Sequence, residues 1–341
     1  MEVSVTSTRR ALASAGAAIT AALMLAACGS GEVGSSNPPA GNQSGAQGGG
    51  NKKLALVPGV QNEPFYISMQ CGAEEQAKSL GYTLQTQAPA SFNATLQEPI
   101  VTALAASKPA ALLIAPTDDV AMAQPMKQVK DLGTVVVEVD TALKDTSLAV
   151  STITSNNEQG GRLAADTMNK LAAGKSGSVL ILDTKAGTST TAARAKGFED
   201  ELKKYPNLTS AGIQLTNNEP DQAASKVTAA LASKKDLIGV FATNLNTGEG
   251  AATGLRNAGK IGQVNLIGFD ASPTEVEGLK AGEFQALIAQ DPATIGKEGV
   301  NQAVAKIEGK GEVKRNIEAP LVAITKDNMS ANEKYFYKTK C

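Results

Sequence analysis

The sequence predicts an α/β protein built on parallel sheets, and two observations carry this. Short, near-continuous Val/Ile/Leu runs fall at 53–57, 82–87, 111–115, 134–139, 178–183, 237–242, 264–269 and 284–289, as in strands whose two faces are both covered. Between them lie stretches of helical periodicity at 64–80, 94–106, 119–132, 158–173, 190–205, 221–233, 247–258 and 292–308. This rhythm fits either one closed barrel or two open, doubly wound sheets. From Lys52 to Cys341 the chain is long enough for two domains and can bury most of its apolar surface.

The residues before Lys52 stand outside that rhythm. Arg9 and Arg10 precede an apolar, small-residue run that closes on Leu25-Ala26-Ala27-Cys28, the layout of a secretory leader and its cleavage site. The run falls short of the roughly 20 residues that a membrane-spanning helix needs. Leu-Ala-Ala-Cys resembles the lipobox of bacterial lipoproteins. That resemblance implies removal of a signal peptide, residues 1–27, and acylation of Cys28, which anchors the protein to the outer face of the bacterial cell membrane. Each acyl CH₂ buried in lipid is worth about 0.8 kcal/mol. After Cys28, residues 29–51 are Gly, Ser, Asn, Pro, Gln and Ala apart from Val33 and one charge, Glu32, and 28–51 is expected to form a flexible tether.

Composition excludes several functions. With 32 Lys and Arg against 33 Asp and Glu, and no basic block, nucleic acid is not an expected partner. The chain has no histidine, the commonest general base and metal ligand. After Cys28 only Cys71 and Cys341 remain, too few to build a zinc site. No metal and no cofactor are expected. Gly174-Lys175-Ser176 lacks the earlier glycine of a phosphate loop, and Gly248, Gly250 and Gly254 miss the dinucleotide spacing.

A series of segments in order decides between barrel and open sheets. These are Asn62-Glu63-Pro64-Phe65-Tyr66, Ala115-Pro116-Thr117-Asp118, Val139-Asp140, and Ser155-Asn156-Asn157 with Gly160-Gly161. Then come Gly187-Thr188-Ser189 with Arg194 and Gly197-Phe198, Val240-Phe241-Ala242-Thr243-Asn244, Gly268-Phe269-Asp270, and Ala289-Gln290-Asp291-Pro292 with Ile295-Gly296. Their order resembles the ribose-type periplasmic sugar-binding proteins, whose type I fold is shared by the ligand domain of LacI-type repressors. The resemblance implies two parallel-sheet lobes joined by three crossover strands, here near Ser155, Gln290 and Pro320. One lobe would hold 52–155 and 291–320, the other 156–290 and 321–341. A repressor is set aside because a leader, not a helix-turn-helix, opens the chain.

The same resemblance nominates ligand-binding residues. Asp140, Asn244, Asp270 and Gln290 each follow an apolar strand, at the edge where open α/β sheets bind ligands. Their side chains suit hydroxyl groups, although each alone could be a helix cap or turn residue. Arg194 matches an arginine that clamps sugar oxygens. Phe65 and Tyr66 match aromatics that sandwich the sugar, although Phe65 also fits an apolar helix stripe with Met69, Ala73, Ala77 and Leu80. Glu63 stands where the ribose binder has asparagine, Ala115 replaces another asparagine, Thr141 replaces a second arginine, and Asn218 or a neighbour takes the place of a third aromatic. One aromatic wall and one cation fewer point to a smaller or acyclic ligand, such as a pentitol or tetritol.

Cys71 falls opposite the apolar stripe of its helix and is expected to face outward. Two cysteines left over in an exported chain point to a Cys71–Cys341 disulfide, pinning the tail onto the first lobe. The whole implies a monomeric, extracytoplasmic solute-binding lipoprotein of an ABC importer that hands a small sugar or sugar alcohol to a membrane permease. A sensing lipoprotein that signals to a membrane receptor would share the fold and site. A carbohydrate-active enzyme would need Asp140 and Asp270 as an acid/base pair, and none is expected.

Overall fold

Apolar strands 111–114 and 180–182 are buried on both faces, and both sheets are wound with helices on each side. The computed structural model describes residues 51–341. The expected leader, Cys28 and all but the last residue of the tether lie outside the described residues. The first sheet contains β1 (Lys53–Val57), β2 (Thr83–Thr86), β3 (Ala111–Ile114), β4 (Val135–Val139), β5 (Ser151–Ser155) and a late strand, β11 (Asn316–Ala319). Its order is β11-β5-β4-β3-β1-β2, and every pairing is parallel.

The second sheet repeats that order with β6 (Gly177–Asp183), β7 (Leu208–Leu215), β8 (Leu237–Ala242), β9 (Asn265–Phe269), β10 (Ala286–Gln290) and β12 (Leu321–Ile324), arranged β12-β10-β9-β8-β6-β7. Its one departure from the expected parallel sheet is β12, which runs antiparallel to β10. Chain direction explains this: β11 and β12 are separated by Pro320 alone, so the chain runs straight from one sheet into the other. Sheet membership also changes after β5 and after β10. Two open sheets, not a barrel, are therefore formed.

Helices α1 (Pro64–Ser79) and α9 (Pro292–Glu308) cover one face of the first sheet, and α2 (Ala94–Ser107) and α3 (Ala123–Asp131) the other. Around the second sheet, α4 (Asn157–Ala172) and α5 (Ser189–Leu202) lie on one face. The opposite face takes α6 (Pro220–Ser233) and α7 (Leu245–Asn257), with α8 (Pro273–Ala281) packed on α7 and β10. Glycines permit the closest helix pairs. A Cβ on Gly296 would lie 2.0 Å from the Met69 carbonyl oxygen of α1, and one on Gly161 would lie 2.0 Å from the Arg194 carbonyl oxygen of α5.

Several elements were not anticipated, each for a local reason. Strand β5 alternates buried and part-buried residues in Ser-Thr-Ile-Thr-Ser, and β7 is an edge strand with a single buried residue, Leu208. Helix α3 starts four residues later than its periodicity suggests, because the Asp118 carboxylate accepts the N–H groups of Val120 and Ala121 and holds a turn there. Helix α8 is short, but its reciprocal Ser272–Glu275 cap is a readable start signal.

Cys71 and Cys341 form the expected disulfide. The expected outward position of Cys71 is corrected: it is buried. The C-terminal tail covers that side of α1, where Lys338 N–H donates to Ser68 Oγ at 2.7 Å. Among the described residues no helix is long and apolar enough to cross a membrane.

Candidate functional site

Residues just beyond the carboxyl ends of strands from both sheets line one small cavity. This is the place where open α/β sheets bind ligands. The first sheet supplies Glu63, Phe65 and Tyr66 around the start of α1, and Asp140 and Thr141 after β4. The second supplies Arg194 on α5, Asn218 after β7, Asn244 after β8, Asp270 after β9 and Gln290 at the end of β10. Every residue nominated from sequence for ligand contact thus lies on this wall.

The two aspartates are held in parallel ways. Both adopt positive φ, 65° for Asp140 and 97° for Asp270, a region uncommon outside glycine that aspartate and asparagine visit more readily than most residues. Asp140 N–H donates to the Ile153 carbonyl at 2.8 Å, and Asp270 N–H to the Ile288 carbonyl at 2.9 Å. Tyr66 donates its hydroxyl to Asp140 Oδ2 at 2.9 Å. Asp270 Oδ1 accepts the Tyr337 hydroxyl at 2.8 Å and Gln290 Nε2 at 2.7 Å, while Oδ2 accepts the Leu245 N–H at 3.0 Å.

Arg194 is only 2% exposed and is fixed from three sides. Its Nε donates to Asn157 Oδ1 and its Nη1 to the Thr243 carbonyl, both at 2.8 Å. The guanidinium also lies 3.8 Å from the centre of the Phe269 ring. A guanidinium carries five N–H donors, so this anchoring leaves donors for a cavity guest. Asn244 has a structural duty as well: its Oδ1 accepts the Thr247 N–H and so caps α7, while its Nδ2 donates to Asn218 Oδ1 at 2.7 Å. Gln290 Oε1 accepts Ser155 Oγ at 2.9 Å, linking the ends of β10 and β5. Thr141 Oγ1 donates to the Pro116 carbonyl.

Sequence reasoning missed part of the wall. Phe92, in the loop before α2, also lines the cavity, so the expected loss of an aromatic wall is offset from another loop. Nothing periodic marks this residue. Thr184, Thr188, Thr190 and Thr191 contribute hydroxyls, and the buried Thr188 hydroxyl has no partner among the described residues. The 188–191 run also opens α5. Phe65 meets Tyr66 edge-on with ring centres 5.2 Å apart and Tyr337 edge-on at 5.7 Å.

Three carboxyl groups share this wall with one cation, Arg194. Burial, then the charges of Asp270, Asp140 and Glu249, push the Glu63 carboxyl up to about 8, against a lowering pull from Arg194. Burial raises Asp140 to about 6, opposed by Arg194 and the Tyr66 hydroxyl. Burial first, then the Asp140 charge, lifts the Tyr66 phenol well above its ordinary range, so it stays a donor. Loops of the two sheets also touch: Asp119 N–H donates to the Gly187 carbonyl at 2.9 Å, and Ala142 N–H to Ser189 Oγ at 3.0 Å. Among the described residues no cluster of metal-ligating side chains is arranged to hold an ion.

Residues 54–311 match the family model described as "Periplasmic binding protein domain". The chain is 31% identical over 274 residues to the ribose import binding protein of Salmonella typhimurium, an alignment covering 79% of this chain and 90% of that protein. It is similar to a solved ABC transporter solute-binding protein from Agrobacterium vitis bound with α-D-tagatopyranose, at 36% identity and a TM-score of 0.80, covering 84% of this chain and 99% of that one. A second solute-binding protein of that organism, with bound D-fucose, matches at 26% identity and a TM-score of 0.79, covering 84% and 100%. In fold, in the order of its motifs and in sequence, the chain belongs to the periplasmic binding protein family, among its ribose-type members.

Proposed function

We propose that the protein is the extracytoplasmic solute-binding lipoprotein of an ABC importer and takes a small sugar or sugar alcohol between its two lobes. The observation that carries this reading is the convergence of Asp140, Arg194 and Asp270 on one small cavity with aromatic walls. Carboxylates accept hydroxyl protons, the guanidinium donates to oxygens, and aromatic faces take the C–H surface of a sugar ring. Ribose, tagatose and fucose, named for the relatives, present hydroxyls and C–H faces that such groups can meet. One lobe comprises 52–155 and 291–320 and the other 156–290 and 321–341. Contacts made by both lobes exist only when the cleft is closed, so ligand shifts the population toward closure. The closed pair of lobes is then the form that a permease reads. Acylated Cys28, with the 28–51 tether, keeps the body near that permease on the outer face of the cell membrane, and the monomer is the working unit.

Thermal unfolding of the mature chain against a panel of aldopentoses, ketohexoses, 6-deoxyhexoses, pentitols and tetritols tests the proposal. A specific ligand stabilises by RT ln(1 + [L]/Kd), so at least one panel member should raise the melting temperature. No rise with any of them at millimolar concentration would overturn the reading. Product formation on prolonged incubation would replace it with an enzymatic one.

A further inference from the structure

Beyond β12 the chain forms a strap that crosses between the lobes. It leaves the second sheet, turns through a short 3-10 segment (Met329–Tyr335) and lays Tyr337 against the second lobe, where its N–H donates to the Ala271 carbonyl at 3.0 Å. One residue later it is on the first lobe, through Lys338 N–H and Ser68 Oγ. It ends in the disulfide from Cys341 to Cys71 of α1. The strap is thus a further connection between the lobes, closed covalently at its far end.

We propose that Tyr337 is a positioning residue of the ligand site, held in place by the Cys71–Cys341 bond, and that it fixes Asp270 and Phe65 for a guest it does not itself touch. Tyr337 is buried and does not line the cavity. Its hydroxyl is used twice, donating to Asp270 Oδ1 at 2.8 Å and accepting the Gln290 N–H at 3.2 Å. Its ring abuts Phe65, which does line the cavity. The strap therefore joins the second lobe's ligand-facing carboxylate to the first lobe's aromatic wall. A carboxylate held by several donors has one orientation instead of many, which lowers the ordering cost of binding. This inference rests on the proposed sugar-binding role only for its ligand arm.

The test compares wild type, Tyr337→Phe and a Cys71→Ser/Cys341→Ser double variant by amide-resolved hydrogen exchange and by affinity for whichever panel sugar the wild type binds. The Leu245 amide, which donates to Asp270 Oδ2, reports directly on the carboxylate. The Asp140 amide, bonded to Ile153, is the internal control. Both variants should exchange Leu245 faster while leaving Asp140 unchanged, and should bind the sugar about tenfold more weakly, as expected for losing a hydrogen bond to a charged group. Unchanged exchange at Leu245 would overturn the proposal. So would faster exchange with unaltered affinity, or equal acceleration at Asp140, which marks general loosening. An unaffected double variant beside an affected Tyr337→Phe would remove the disulfide from the proposal. If wild type binds no panel sugar, the transport reading fails, and the exchange arm alone decides whether Tyr337 positions Asp270.

Discussion

Asp140 and Asp270 are counterparts across the two sheets. Each follows the strand that holds the same place in its sheet order, β4 in one and β9 in the other. Each sends its N–H to the neighbouring strand and accepts a tyrosine hydroxyl, from Tyr66 at 2.9 Å and from Tyr337 at 2.8 Å. A guest that meets both carboxylates is held by both lobes, which ties binding to closure.

Substitution at Asp270 should therefore remove ligand response without removing the fold. Asp270→Ala is expected to abolish the ligand-dependent rise in melting temperature. Asp140→Asn, which keeps shape and loses charge, should cost on the order of 1.5–3 kcal/mol of binding, the range for hydrogen bonds to charged groups. Thermal unfolding reads the first, and isothermal titration measures affinity for both. Wild-type affinity in Asp270→Ala would take this carboxylate out of the site.

Arg194 should not tolerate lysine. Its anchoring uses two separate nitrogens on Asn157 and Thr243 and a planar face on Phe269. A lysine ammonium is a compact charge without that fork or plane. Arg194→Lys is expected to weaken sugar binding by about tenfold or more, a buried charged hydrogen bond being at stake. Equal affinity in the two proteins would show that only charge matters there.

What could be read in advance follows from whether the physics is local. Runs such as 111–114 stand out because helices cover both sheet faces. Strand β5 does not, because its serines and threonines alternate with buried positions. Asp140, Asn244, Asp270 and Gln290 were legible from their place after strands together with the family resemblance. Phe92 is a lone aromatic in a loop and carries no period. Tyr337 acts on Asp270 across 67 residues, and Cys71 is covered by a tail 270 residues away. Helix geometry alone placed that cysteine outward because the tail is a tertiary fact.

Glycines in the motif segments should prove structural. Gly296 lets α9 approach the Met69 carbonyl of α1, and Gly161 lets α4 approach the Arg194 carbonyl of α5. A methyl group at either site meets backbone, which cannot rotate away. Gly296→Ala and Gly161→Ala are each expected to destabilise by about 1–3 kcal/mol, the usual cost of overpacking, seen as a lower urea midpoint. Gly161→Ala should also disturb ligand binding, since it displaces the helix that carries Arg194. Gly296→Ala should leave Arg194 where it is. Unchanged midpoints would mean that these helices can separate at little cost.

Glu63 gives the site a pH dependence whose sign can be worked out. Its carboxyl ionises at about 8 in the folded protein against 4.5 ordinarily. Between those values the folded state binds more protons than the unfolded chain, so stability falls as pH rises. The contribution is fully present below about 4.5 and is lost as the pH passes through about 8. Glu63→Gln keeps the shape, stays neutral and should remove this part of the slope, visible as a flatter plot of unfolding free energy against pH. Ligand binding should follow. Above pH 8 the ionised wild type gathers Glu63, Asp140 and Asp270 around Arg194 alone, and affinity for a neutral sugar should fall. The glutamine variant should hold its affinity there, because its side chain still donates and accepts hydrogen bonds. Parallel losses in the two proteins would assign the alkaline limb to another group.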